Sequence, residues 1–175
     1  MGRELSVWAM LAKPSLGEWR RRIEDIAGAF GAAPFDPHIT VYCGKQGDDV
    51  TLDAVRRAAA EHAPFTLRVT QLVHGVLFNK NLYYEFERHE TPFALCKRII
   101  ELADPEPYYV PNPHMSVLYS GDFQKTLAAA SHCLAPSLVG ELRFDSLRVI
   151  QGTSPLQSND HVMAWKTLLD VPLGG

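Results

Sequence analysis

Pro37-His38-Ile39-Thr40-Val41 and Pro113-His114-Met115-Ser116-Val117 are the two stretches on which the reading of this chain turns, because both spell P-H-x-[S/T]-V. Nine serines and eight threonines in 175 residues give any one histidine about a one-in-ten chance of a hydroxyl two places on, so a single match among seven histidines means little. The shared proline before and valine after make a chance pairing far less plausible. Each copy also opens a short apolar run that follows a helical pattern and a proline-bearing loop, which places each at the start of a β-strand.

On a strand, residues i and i+2 share a face, so each motif delivers one imidazole and one hydroxyl to the same side. Two such pairs brought together can surround a phosphate, with hydroxyls donating to non-bridging oxygens and imidazoles beside the attacking and leaving oxygens. Imidazole, with an ordinary pKa of about 6.5, serves as base or acid near neutrality. The candidate catalytic residues are therefore His38 and His114, and the candidate phosphate-binding residues are Thr40 and Ser116. Ile39 and Met115 are expected to face the core, with Val41 and Val117 also structural.

A lone histidine at a strand start more often caps loop backbone than does chemistry; the matched pair argues against that reading. His62 and His132 near helix ends, and His74, His89 and His161 in or beside turns, are assigned no catalytic part. No metal or other cofactor is expected. H-x-S and H-x-T supply one good ligand each, neither motif holds a carboxylate, and no H-E-x-x-H or paired-cysteine motif is present. Cys43, close to the first motif, reads as a small strand residue rather than a nucleophile.

Working outward, the pattern predicts strand 5–11, helix 16–30 closed by Gly31, strand 38–43, helix 49–62, and strand 65–73. A hairpin partner follows at 82–86, with Asn79, Lys80 and Asn81 near the turn. From Thr91 the order repeats: a helix to about Ala103, a loop punctuated by Pro105, Pro107, Pro111 and Pro113, and strand 114–119. Then come a helix over 123–134, a strand over 141–150, a polar loop from Gly152 to Asp160, and a last strand over 162–169. About four helices and seven strands in this order give an α+β fold. No linker-like stretch divides the halves, so residues 1–175 are expected to form one domain of two lobes sharing a core.

Hydrophobic residues make up 46% of the chain, enough for a core, and charged residues 21%, which argues against disorder. The net charge of -3 lacks the basic surplus of duplex-binding proteins, so a long nucleic acid is disfavoured as a partner; a small-molecule substrate and a monomer are expected. Three cysteines without a C-x-x-C pair suit a reducing compartment. With no signal-peptide pattern and no apolar run of about 18 residues, a cytoplasmic protein without a membrane partner is expected.

The two motifs resemble those of the two-histidine (2H) phosphoesterase superfamily, and their spacing fits it. That resemblance implies two pseudo-symmetric LigT-like lobes, each with an antiparallel sheet and helices outside, around a central groove. Within the superfamily the chain is similar to the plant and yeast cyclic phosphodiesterases through Ser6-Val7-Trp8-Ala9, the first motif, the run Pro113 to Tyr119, and the strands ending near Trp165. Those enzymes open nucleoside 2',3'-cyclic phosphates and ADP-ribose 1'',2''-cyclic phosphate. The resemblance implies a substrate-binding role for Tyr119, which lies an odd step from Ser116 and needs a bend or bulge to turn inward. By family analogy His114 would act on the water and His38 on the leaving oxygen. Ser116 and the lack of a following arginine depart from the RNA-ligase-like branch. Lys80 and Asn81 stand as candidates for a distal phosphate, and Trp8 reads as a core aromatic ahead of a stacking wall. An RNA-end or 2',5'-phosphodiester enzyme, and a nucleotide-binding module without turnover, are the alternatives.

Overall fold

A computed structural model describes residues 2–44, 48–103 and 109–174. Pro105 and Pro107 of the expected proline loop lie outside the described residues. Along the chain run β1 (Gly2–Leu11), α1 (Ser15–Phe30), β2 (His38–Gly44), α2 (Asp48–Ala60), β3 (Phe65–Leu77), β4 (Lys80–Phe86) and α3 (Glu90–Ala103). After these come β5 (His114–Leu118), α4 (Phe123–Ala130), α5 (Pro136–Val139), β6 (Glu141–Ser154), α6 (Asn159–Met163) and β7 (Lys166–Pro172). The expected α+β class holds.

All strand pairings are antiparallel, and the sheet path is β2-β1-β6-β3-β4-β5, with β7 beside β6. The two motif strands, β2 and β5, are the ends of that path, yet they come close to each other in space. The path therefore curls until its ends face one another, which is how residues far apart in sequence reach one groove.

The strand pattern decides which side faces the groove. On β1, Leu5, Val7, Ala9 and Leu11 enter the main hydrophobic cluster, while Trp8 and Met10 join Ile150 of β6 in a separate small one. This is the period-two alternation of a sheet with distinct faces. Helix α1 covers the core face through Trp19, Ile23, Ile26 and Ala27, one stripe of a 3.6-residue period, and ends at Gly31 in the left-handed region (φ 65°). Ile39 and Met115 are fully buried in the same main cluster, as the motif reading required.

Several boundaries differ from the sequence expectation: β1 begins at Gly2, α2 ends at Ala60, β3 runs on to Leu77 and β7 to Pro172, and three further differences have a local cause. Helix α4 stops at Ala130 rather than running to 134, because successive N–H groups of Ser131, His132 and Cys133 bond three residues back and the Ser131 hydroxyl takes the Ala128 carbonyl. The polar stretch after Gly152 is partly strand, since β6 stays paired with β1 out to Ser154. Residues 162–165 are not strand: the Ser158 hydroxyl accepts from the His161 N–H and caps the short helix α6, so β7 begins only at Lys166. With α5 and α6 the described residues hold six helices rather than about four. None is long and apolar enough to cross a membrane.

Candidate active site

Each motif histidine is held in the same way. The His38 Nδ1 lies 2.6 Å from the carbonyl oxygen of Asp36, and the His114 Nδ1 lies 2.6 Å from that of Asn112. A carbonyl oxygen can only accept, so both Nδ1 atoms carry the hydrogen and both neutral rings keep their lone pair on Nε2.

The register repeats as well. Val7 pairs with Tyr42 but Trp8 with Thr40, so Val41 is an extra, bulged residue on β2; Leu82 pairs with Leu118 but Tyr83 with Ser116, so Val117 is bulged on β5. The valine closing each motif is thus the bulge. A bulge shifts the alternation by one, bringing the residue three places after the hydroxyl onto the hydroxyl's own face. That residue is Cys43 in one copy and Tyr119 in the other, and both line the same cleft as His38 and Thr40.

This cleft encloses about 290 Å³ and is bounded further by Glu4, Ser6, Trp8, Asn79, Gly152 and Trp165. Ser116, 5% exposed, donates its hydroxyl to the Asn79 carbonyl at 3.3 Å and lies near the Tyr119 hydroxyl. His114 is not among the residues lining the cleft. It is nonetheless near enough for a charge on it to disfavour one on His38.

The LigT like Phosphoesterase family profile matches residues 11–75, a span that includes the first motif and stops before the second. Residues 11–75 are thus similar to the LigT-like phosphoesterases. Over its whole length the fold is similar to that of several solved structures. Escherichia coli LigT complexed with 3'-AMP aligns with a TM-score of 0.60 at 11% identity, covering 100% of both chains. The same protein complexed with ATP aligns at 0.58 and 12%, again over 100% of both. A Thermus thermophilus protein aligns at 0.57 and 14%, over 98% of each. No curated protein sequence matches the chain.

Within this two-histidine frame each ring also has an aromatic neighbour on the strand beside it. Trp8, paired with Thr40, stacks on His38; Tyr83, paired with Ser116, meets His114 edge to face with centroids 5.1 Å apart. Lys80 sits 4.9 Å above the Tyr83 ring. Burial, more than any other influence, drives the His38 pKa down to about 4; the Asp36 carbonyl opposes this, while a charged His114 adds to it. Burial also lowers the pKa of the less enclosed His114, aided by the Lys80 ammonium and opposed by the Asn112 carbonyl and Glu85.

The loop carrying the Asp36 carbonyl is pinned by ion pairs. Asp36 bonds Arg20 at 2.6 Å and also Arg148, which in turn holds Asp170 at 2.7 Å. Burial pushes the Asp36 carboxyl up, but the two guanidiniums outweigh it and hold the group below the usual carboxylate range.

Several sequence readings change here. Asn81 is 1% exposed and spends its amide on the Ser120 carbonyl and the Thr126 hydroxyl, so it is a structural residue and no candidate for a distal phosphate. Trp8 is 4% exposed but stands apart from the main core, against His38 and the cleft. Cys43 also faces the cleft; burial, with the Glu4 carboxylate adding, pushes its thiol up to about 12, which leaves it a poor nucleophile. Nothing in the sequence alone marks Glu4, Gly152 and Trp165 as lining this cleft. Among the described residues no three His, Cys, Asp or Glu side chains are grouped to hold a metal ion.

Proposed function

We propose that this protein hydrolyses a cyclic phosphodiester, a nucleoside 2',3'-cyclic phosphate or ADP-ribose 1'',2''-cyclic phosphate, to a phosphomonoester without a metal. The observation that carries this reading is the matched pair of imidazoles, each with Nδ1–H tied to a carbonyl and Nε2 left to exchange a proton.

In the proposed reaction one Nε2 takes a proton from water as its oxygen attacks phosphorus. The other ring, protonated, gives its Nε2 proton to the departing ribose oxygen as the P–O bond breaks. Thr40, Ser116 and Tyr119 donate to the phosphate oxygens, and the Lys80 ammonium beside His114 offsets their charge. The two environments support the reverse of the family-based division of labour. His38 is the harder ring to protonate and suits the base, whereas His114 is the first to take a proton and suits the acid.

Purified protein treated with EDTA and incubated with these compounds should release monoester, followed by phosphorus NMR. His38→Ala and His114→Ala should each lower turnover by about 10² to 10⁴-fold with the fold retained. Undiminished turnover in both variants would sink the mechanism. Binding without turnover in the unaltered protein would point to a nucleotide-binding module, and activity confined to RNA ends would point to an end-processing enzyme.

A further inference from the structure

The end of the cleft away from the histidines has a chemistry of its own. On β1 the side chains of Glu4, Ser6 and Trp8 follow one another along the groove face, and Trp8 is level with Thr40. Four residues of strand separate Glu4 from Trp8, about 13 Å. A nucleoside 2',3'-cyclic phosphate, measured from its phosphorus to the outer edge of its base, fills most of that length once the Glu4 side chain reaches back along the groove.

Glu4 pairs across the sheet with Gly152. A Cβ at Gly152 would lie 2.8 Å from both Cδ1 and Nε1 of Trp165, so the indole stands with that edge on the bare backbone of β6, next to Glu4. The ring is held upright by edge-to-face contacts with Trp8, centroids 5.0 Å apart, and with Tyr119, 6.1 Å apart. The cleft thus ends in an aromatic wall beside a half-buried carboxylate.

We infer that this end is a nucleobase subsite selective for guanine, with Trp165 against the face of the base and Glu4 accepting its N1–H and exocyclic N2–H. The inference rests on the cyclic-nucleotide reading of the site. A carboxylate only accepts, and guanine is the base whose pairing edge presents two adjacent N–H donors. Adenine and cytosine set one donor beside a ring-nitrogen lone pair, and uracil sets one donor between two carbonyls; each brings a lone pair towards the carboxylate. The same charge disfavours ADP-ribose 1'',2''-cyclic phosphate, whose pyrophosphate would meet Glu4 at this end.

The test compares kcat/KM for the four nucleoside 2',3'-cyclic phosphates and ADP-ribose 1'',2''-cyclic phosphate, in the unaltered protein and in Glu4→Ala. Alongside it, binding of the four 2'-mononucleotides is read by quenching of tryptophan fluorescence. Guanosine 2',3'-cyclic phosphate is expected to lead by roughly tenfold to a hundredfold, the size of one bidentate contact, and to lose that lead in Glu4→Ala. Equal turnover of all four bases would overturn the subsite and leave the hydrolase reading standing. Tighter binding of the guanine nucleotide, lost in Glu4→Ala but without turnover, would support the subsite and overturn the hydrolase reading. No base preference in either measurement overturns the subsite outright, and the ranking in the unaltered protein decides this even if the variant folds poorly.

Discussion

The imidazole of His38 lies flat against the indole of Trp8, with ring centroids 3.6 Å apart and planes 9° from parallel. The Asp36 carbonyl fixes the rotation of the imidazole, and the indole fixes its plane. Together they determine where Nε2 points, which neither does alone.

Trp8→Ala should therefore cost orientation. A reacting group misplaced by about 1 Å can lose on the order of 10²-fold, so kcat is expected to fall by between about 10 and 100-fold with KM less affected. The variant also opens His38 to water, and its pKa should climb from about 4 towards the ordinary histidine value. Titration of the imidazole Cε1–H by NMR checks this. An unmoved pKa together with unchanged kcat would make the stacking incidental.

The pH profile follows from the same environments. A base must be unprotonated, so activity governed by His38 falls only as pH drops towards about 4. An acid must be protonated, so activity governed by His114 falls as pH rises through a pKa held below the usual 6.5. The expected kcat/KM curve is a bell with its maximum on the acid side of pH 6.5. Removing the Lys80 charge with Lys80→Met should move the alkaline limb to higher pH, since that ammonium helps hold the His114 pKa down. A rate that keeps rising to pH 8 contradicts the assignment of His114 as acid.

Burial of His38 also couples to stability. Its folded pKa lies below its unfolded value, so between pH 6.5 and about 4 the unfolded chain binds the extra proton and stability rises with pH across that window. Acidification through it should cost about 3 kcal/mol from this group, an upper figure for a wholly dry ring. In His38→Gln that part of the slope should vanish, even if the variant is less stable at every pH. Urea melts at pH 7, 5.5 and 4.5 measure it, and an identical slope in the variant would show that other groups carry the acid sensitivity.

How much of this was legible in the sequence depended on what is local. Each motif's histidine and hydroxyl obey a period of two within one strand, so the sharing of a face by His38 and Thr40 needed only those five letters. The valines were legible as buried residues but not as bulges, because a bulge is a relation to the partner strand and appears only when Tyr42 and Thr40 are both set against β1. Tyr119 made the bulge necessary without locating it. Cys43 stands five places after His38 as Tyr119 does after His114, so the repeat of that spacing is a signal present in the chain. Glu4 beside Gly152, and Trp165 above it, offered no local signal at all. Their meeting is set by the β1–β6 register and by the short helix that Ser158 caps.

Two glycines separate damage to the fold from damage to the cleft. A Cβ at Gly75 would lie 2.1 Å from the Lys80 carbonyl oxygen, which belongs to the β4 backbone and cannot swing aside without parting the β3–β4 hairpin. Gly75→Ala should therefore destabilise the whole protein by about 1–3 kcal/mol or more, the range for forced overpacking, and lower activity only in step with the folded fraction. A Cβ at Gly152 instead meets the edge of the Trp165 ring, a side chain that can tilt. Gly152→Ala should shift the melting midpoint less than Gly75→Ala, yet displace the wall of the cleft and raise KM while kcat per folded molecule is largely kept, since neither imidazole touches that ring. Thermal melts beside steady-state kinetics distinguish the two. If Gly152→Ala lowered kcat and left KM unchanged, Trp165 would be acting on the reacting end through Trp8 and Tyr119, which it meets edge to face, rather than on the bound base.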